Sequence, residues 1–132
     1  DGSANIGGQT PPQIIEHSTS VNANFQMPAF ANFDLIANFQ LSHNGTMEGG
    51  KPSGGTVENP EFTVVNMQMG LASDNWELML NLDNAFDERY YTDVEPFPNF
   101  SFGGLTGSEP AEMIIGTHGH PRLFTASATY RF

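Results

Sequence analysis

The sequence has no cysteine and only four lysine and arginine residues among its 132 residues. The absence of cysteine excludes disulfide bonds, thiolate metal sites and cysteine nucleophiles. Four basic residues against fifteen acidic ones give a formal net charge of −11, which argues against a nucleic-acid-binding surface. The sequence also lacks a Ser/His/Asp order, a phosphate-binding loop and a His-x-x-x-His motif. We therefore predict neither an enzyme nor a cofactor-binding protein.

Long apolar runs are missing as well. No stretch approaches the roughly 20 apolar residues that a transmembrane helix needs. The sequence begins at Asp1 without the basic and then apolar pattern of a signal peptide. The length corresponds to a single domain. The fold and function must therefore be predicted from the order of the residues rather than from the composition.

Five segments carry an apolar residue at every second position, which predicts strands with one apolar and one polar face. They cover residues 18–27, 31–42, 62–72, 76–84 and 122–132. The apolar faces hold no charged residue. The polar faces hold mostly amides, hydroxyls and carboxylates, among them Asp34, Asn38, Gln40, Asn66, Gln68, Glu77, Asn81, Asp83, Thr125, Ser127, Thr129 and Arg131. Both a soluble β-sandwich and a transmembrane barrel with a polar lumen produce this alternation.

The connections between the segments alternate between short and long. Residues 28–30 and 73–75 form short connections, whereas residues 43–61 and 85–121 form long ones. In an antiparallel up-and-down sheet, the tight turns then share one end and the long loops share the other, as in outer-membrane barrels. Long structureless loops are uncommon inside compact soluble domains. Asn44 and Gly45 predict a tight turn within the first long loop.

Aromatic residues cluster at the predicted short-turn end. Trp76 begins the fourth segment, and Tyr130 and Phe132 end the fifth. They suit the aromatic girdle at a membrane interface, although they also suit the core or rim of a sandwich. Five strands cannot close a barrel, since the smallest single-chain barrels have about eight. We therefore expect a segment of a longer barrel, whose first and last strands need further partners.

Two motifs resemble a known family. Residues 76–91 read WELMLNLDNAFDERYY, and residues 119–122 read GHPR before a last strand that ends in Phe132. This order resembles the C-terminal strands of TonB-dependent receptors over about residues 62–132, with Ala85 in place of the usual Leu. The matching residues are Trp76, Asn84, Phe86, Asp87, Tyr90, Tyr91, Gly119, Pro121, Arg122 and Phe132.

The resemblance implies an all-β fold and an outer-membrane location in a Gram-negative bacterium. Residues 1–132 would supply about five strands of an antiparallel up-and-down transmembrane barrel of about 22 strands, closed by a plug domain. The family imports siderophores, cobalamin, haem or glycans. Its partners are membrane lipid, the ligand, the TonB complex and the barrel-assembly machinery, which recognises the C-terminal strand. Neither the plug nor the TonB box is in this chain, so we expect it to supply barrel wall rather than transport by itself.

Two other functions stay open at this point, a structural or adhesive outer-membrane barrel and a soluble ligand-binding β-sandwich. In the second long loop, Phe97, Phe100 and Phe102 are candidates for ligand contact or for packing of the loop. His118 and His120 lack a third ligand at a typical spacing, so we predict no metal site there. We expect Asp83 to face the lumen and Asn84 and Asp87 to bond local backbone.

Overall fold

A computed structural model describes residues 14–15, 17–50, 56–97 and 113–132. These residues contain strands but no helix, so no helix among them is long and apolar enough to cross a membrane. All three sheets are antiparallel. The strands are β1 (Ile14–Ile15), β2 (Ser18–Phe30), β3 (Phe33–Asn44), β4 (Met47–Gly50), β5 (Thr56–Asn59), β6 (Phe62–Ala72), β7 (Trp76–Asp83), β8 (Tyr91–Phe97), β9 (Met113–His118) and β10 (Leu123–Tyr130).

The five predicted strands form one sheet in the order β10-β7-β6-β3-β2, in which each strand lies beside its neighbour in sequence. The register pairs Ala37 with Met69, Met69 with Leu80 and Leu80 with Ala126. Because directly paired residues point to the same side, the apolar positions share one face and the polar positions share the other. The predicted all-β, antiparallel fold is confirmed. Within the described residues the sheet is open, with β2 and β10 at its edges.

The predicted position of the first short connection is wrong. Strand β2 continues through residues 28–30, and Ala29 has no partner in the ladder, which forms a β-bulge before Phe30. The turn lies at Ala31 and Asn32, where Ala31 has φ 50°. Proline does not end this strand because Pro28 lies beside the bulge, one of the places in a sheet where proline is tolerated. The other strand ends agree with the prediction within two residues.

Residues 43–61 and 85–121, predicted as long loops, contain further short strands. Strand β3 runs on into β4, and β4 pairs with both β1 and β5. The order β1-β4-β5 repeats the order β2-β3-β6, so three strands of the main sheet continue past a short irregular joint. In the same way, the β8–β9 pair continues the β7–β10 pair. These extensions are too short, and too rich in glycine and proline, for alternation to reveal them.

The predicted tight turn at Asn44 and Gly45 does not occur. The Gly45 backbone N–H donates to the His17 carbonyl at 2.8 Å, so the two strands remain paired across the joint. We call residues 17, 43–46 and 60–61, which include the last two residues of β3, the first joint. Residues 84–90 and 119–122 are the second joint, where β7 gives way to β8 and β9 to β10.

No second layer covers the apolar face of the main sheet within the described residues. The buried apolar side chains among them are Val65, Met79 and Val94. By contrast, the Leu80 and Phe124 side chains at the apolar face are 62% and 72% exposed. The described residues therefore form a single-layered sheet with hairpin extensions at one end.

Candidate functional site

The polar face of the main sheet carries rows of amide side chains that run across the strands. The register aligns Asn24, Asn38, Gln68, Asn81 and Thr125 in one such row. Asn38 Nδ2 donates to Gln68 Oε1, and Gln68 Nε2 donates to Asn81 Oδ1 at 2.6 Å. Because each amide both donates and accepts hydrogen bonds, Asn38, Gln68 and Asn81 form a continuous network in the middle of this row, along a shallow polar groove.

The neighbouring row holds Gln40 and Asn66, in which Asn66 Nδ2 donates to Gln40 Oε1 at 3.2 Å. Asp83 also lines the groove. The other polar-face residues named from the sequence lie on the same side in the register, namely Asp34, Glu77, Ser127 and Thr129. The groove therefore offers neutral hydrogen-bonding groups and a carboxylate, a lining suited to polar ligands or water.

Ionic contacts occur towards the short-turn end of this face. Arg131 Nη2 lies 2.9 Å from Glu77 Oε2, and Gln26 Nε2 donates to Asp34 Oδ2 at 3.0 Å. Both partners of the ion pair are solvent-accessible, so it contributes at most about 1 kcal/mol to stability. These contacts therefore contribute little to the stability of the strand pairing.

Asn84 is the centre of the second joint. It is 2% exposed and has φ 49°, a left-handed conformation that asparagine tolerates better than most residues. Its Nδ2 donates to the carbonyls of Glu88 and His120, both at 2.9 Å, and its Oδ1 accepts from the Glu88 N–H. Its own N–H donates to Asn66 Oδ1 at 2.9 Å. One side chain thus links the end of β7, the following turn and the segment that leads into β10.

Other motif residues make contacts in the same joint. Asp87 Oδ1 accepts from the Arg122 N–H at 3.0 Å, and the Gly119 N–H donates to the Tyr90 carbonyl at 2.8 Å. The Tyr90 ring stacks on Phe62 with centroids 4.3 Å apart, and a Cβ at Gly119 would overlap that ring. The structure therefore brings the two sequence motifs into direct contact.

Some motif residues lie at the margin of this joint. Phe86 is exposed, and Tyr91 packs against the His118 ring with centroids 4.5 Å apart. His120 contributes its backbone carbonyl to Asn84. Pro121 is exposed beside it.

The opposite end of the sheet carries the aromatic cluster. The Tyr130 ring lies 4.8 Å from Trp76 and 5.6 Å from Phe132, measured between centroids. Phe30 and Phe33 flank the other tight turn at 5.8 Å. Both tight turns thus carry aromatic side chains, and all of these except Phe33 are exposed to solvent.

The first joint holds a cluster that sequence reasoning missed. His17, His43 and Glu61 have potential metal-ligand atoms that all lie within 4.8 Å of one another. The three residues are far apart in sequence, so only the strand pairing shows that they meet. His118 and His120 do not belong to this cluster.

The aromatic loop proposed from the sequence can be placed only in part. Phe97 is the last residue of strand β8. Phe100 and Phe102 lie outside the described residues. The ligand-contact role of these three residues stays a prediction.

Comparison with known proteins identifies no relative. No family model matches the sequence, and neither a curated protein nor a solved structure is significantly similar to it. The expectation of a TonB-dependent receptor therefore depends on the motif residues and on the geometry described above.

Proposed function

We propose that this chain forms part of the wall of an outer-membrane β-barrel, as a C-terminal segment of a TonB-dependent receptor. The observation that carries the proposal is the contrast between the two faces of the main sheet. Among the residues that the structure describes, nothing covers the apolar face, whereas the other face carries a hydrogen-bonded network of amides. In a barrel, the first face contacts lipid and the second lines the lumen.

The apolar face is difficult to reconcile with water. Phe25, Met69, Leu80 and Phe124 are all more than half exposed, and paired strands place them on one continuous surface. Soluble monomers rarely expose apolar patches larger than a few hundred Å². A soluble sandwich would require a second layer over this face, which the described residues do not provide.

The two ends of the sheet support an orientation in the membrane. Tight turns with Trp76 and Tyr130 mark one end, and the hairpin extensions mark the other. Outer-membrane barrels have short periplasmic turns, long external loops and aromatic residues at the interface. In our proposal, the extensions of β4–β5 and β8–β9 are external.

The second joint supports the family-level proposal. The residues that resemble the family motif hold the end of β7 beside the start of β10, through Asn84 and Asp87. These bonds keep the external hairpin aligned with the last two barrel strands. The polar groove and the external hairpins would contact the imported ligand, a scarce nutrient such as a siderophore, cobalamin, haem or glycan. Energy would come from the TonB complex.

The open edges of β2 and β10 need partners, because each unpaired backbone group costs several kcal/mol in lipid. Further barrel strands would supply them. The exposed edge strand β10, which is followed by Phe132, also suits recognition by the barrel-assembly machinery.

Refolding with and without detergent tests the lipid-facing assignment. The 132-residue chain is purified in denaturant, which is then removed in the presence or absence of micelles. We expect strand circular dichroism only with micelles, and precipitation without them. A cooperative, monomeric β-protein in plain buffer would instead favour a soluble ligand-binding sandwich.

A pair of arginine variants separates the two faces. In micelles, we expect Leu80→Arg to lower the free energy of unfolding by about 2–4 kcal/mol, the cost of a basic residue facing lipid. The matched control is Thr125→Arg. Thr125 lies on the polar face, next to Ala126, which pairs with Leu80. This variant should change the free energy of unfolding by about 0.5 kcal/mol or less. Equal losses in the two variants would contradict the assignment of the faces.

A further inference from the structure

We propose that His17, His43 and Glu61 form a binding site for a divalent transition metal with tetrahedral preference, of the Zn²⁺ class. The site lies at the first joint, where three strands of the main sheet pass into their extensions. His17 precedes β2, His43 lies near the end of β3, and Glu61 links β5 to β6. The proposal depends on the geometry of the joint and not on the proposed function.

The distance between the two imidazoles fits one shared ion. His17 Nε2 and His43 Nε2 are 3.3 Å apart. Two nitrogen ligands at the usual Zn–N distance of about 2.0–2.1 Å are about 3.3–3.4 Å apart at a tetrahedral angle. At the right angle of square-planar or octahedral sites the separation would be about 2.9 Å. The geometry therefore favours Zn²⁺ over Cu²⁺ or Ni²⁺.

Thr63 orients the His43 ring. Its Oγ1 lies 2.9 Å from His43 Nδ1, on the side of the ring away from His17. When Nδ1–H donates to this hydroxyl, Nε2 carries the lone pair that a metal requires. A ligating histidine whose other nitrogen is held by a hydrogen bond is typical of metal sites, and such outer partners tune affinity.

Gly45 supports the His17 ring. Gly45 is buried, and a Cβ there would come within 2.8 Å of the imidazole. The Gly45 N–H also bonds the His17 carbonyl, so the backbone fixes the position of His17 beside His43. Absence of a side chain at Gly45 lets the ring lie close to the joint.

Glu61 supplies the third ligand. Its carboxylate is within 4.8 Å of both imidazole ligand atoms, and the side chain is exposed. A side-chain rotation can therefore shorten this distance to coordination length at little cost in packing. Two imidazoles and a carboxylate are a common ligand set for Zn²⁺, with the fourth position left to water or to another ligand group. A bound ion would tie β2, β3 and the start of β6 together beneath the β4–β5 hairpin.

Calorimetric titration with ZnCl₂ tests the site. The 132-residue chain is used in whichever condition, micelles or buffer, gives strand circular dichroism, so the result does not depend on the membrane proposal. We expect one Zn²⁺ per chain, and Co²⁺ should give the intense visible absorption of tetrahedral coordination. MgCl₂ should give no binding, because Mg²⁺ prefers octahedral oxygen ligands.

Variants identify the ligands. We expect His17→Ala with His43→Ala to weaken Zn²⁺ binding more than about 100-fold, and Thr63→Val to weaken it about 10–100-fold. The matched control, His118→Ala with His120→Ala, removes the same number of histidines elsewhere and should bind as the parent chain does. Circular dichroism of each variant shows whether it has folded. Glu61→Gln tests the third ligand, and because the Glu61 side chain is exposed, this substitution should not disturb the sheet.

Three results would overturn the proposal. The first is the absence of one-to-one Zn²⁺ binding by the folded parent chain. The second is equal loss of affinity in the control pair and in the His17/His43 pair. The third is octahedral Co²⁺ absorption.

Discussion

At the scale of single residues, the second joint depends on Asn84. This side chain makes three hydrogen bonds to backbone groups, the carbonyls of Glu88 and His120 and the Glu88 N–H, while its own backbone adopts a left-handed conformation. Alanine would retain neither the amide nor the tolerance for positive φ. Asparagine is thus required here for two reasons, the hydrogen bonds of its amide and its tolerance for positive φ.

We expect Asn84→Ala to lower the free energy of unfolding by about 2–4 kcal/mol, because the carbonyls of Glu88 and His120 and the Glu88 N–H would all lose their partner on the buried Asn84 side chain. Denaturant titration of the micelle-bound chain measures this loss. Asn24→Ala, at an exposed position on edge strand β2, is the control and should have little effect. Similar losses in the two variants would show that the joint does not depend on Asn84.

A second residue-scale prediction concerns the packing of Gly119 against Tyr90. A Cβ at residue 119 would overlap the tyrosine ring, which stacks on Phe62. We expect Gly119→Ala to cost about 1–3 kcal/mol of unfolding free energy, as overpacking usually does.

A double-mutant cycle with Tyr90→Ala isolates this contact. In the Tyr90→Ala background, Gly119→Ala should cost little, since the overlapping ring is gone. If Gly119→Ala costs the same in both backgrounds, the loss comes from the backbone rather than from the ring.

At the scale of elements, the sheet has central strands that are bonded on both sides and edge strands bonded on one. Strands β3, β6 and β7 have two neighbours each, whereas β2 and β10 have one. Edge strands therefore leave half of their backbone groups without a partner in the described residues. Local stability follows this difference.

We expect amide hydrogens of β6 to exchange at least about tenfold more slowly than those of β2 and β10, measured by NMR on the micelle-bound chain. In β2, protection should alternate, with slow exchange only where the N–H faces β3. Uniform protection along β2 would show that its outer edge is paired, as it would be in a closed barrel or an oligomer.

At the scale of the whole molecule, the arrangement of ends and faces predicts how the sheet lies in a bilayer. The apolar face would contact acyl chains, and the aromatic cluster at the tight turns would lie near the headgroups. Trp76, the only tryptophan in the chain, belongs to this cluster and reports its depth.

We expect the fluorescence of Trp76 to be quenched more strongly by lipids brominated near the headgroup than by lipids brominated near the chain ends. The measurement uses vesicles in which the chain has regained strand circular dichroism. Stronger quenching from the chain ends would place the tight turns in the bilayer centre and contradict the proposed orientation. Trp76→Phe is the blank for background emission.

Much of the main sheet could be predicted from sequence alone. Alternation placed the strands within about three residues, because a strand with one apolar face repeats every second position. Alternation also assigned each residue of a strand to the polar or the apolar face. Because directly paired residues lie on the same side of the sheet, these faces are continuous from strand to strand. The connection at residues 73–75 was confirmed, with the Ser73 N–H bonded to the Trp76 carbonyl. The motif residues 84–91 and 119–122 were singled out by their resemblance to a family.

Tertiary structure decided the rest. The turn at Ala31 and Asn32 depended on a bulge, which shifts the register without changing the local pattern. The extensions beyond both joints depended on pairing between short segments whose alternation is too weak to detect. Two contacts join residues more than 25 positions apart. One is between Asn84 and His120, and in the other His17 meets His43 and Glu61. Spacing along the chain carries no information about such contacts, because they arise only when strand pairing fixes which residues become neighbours.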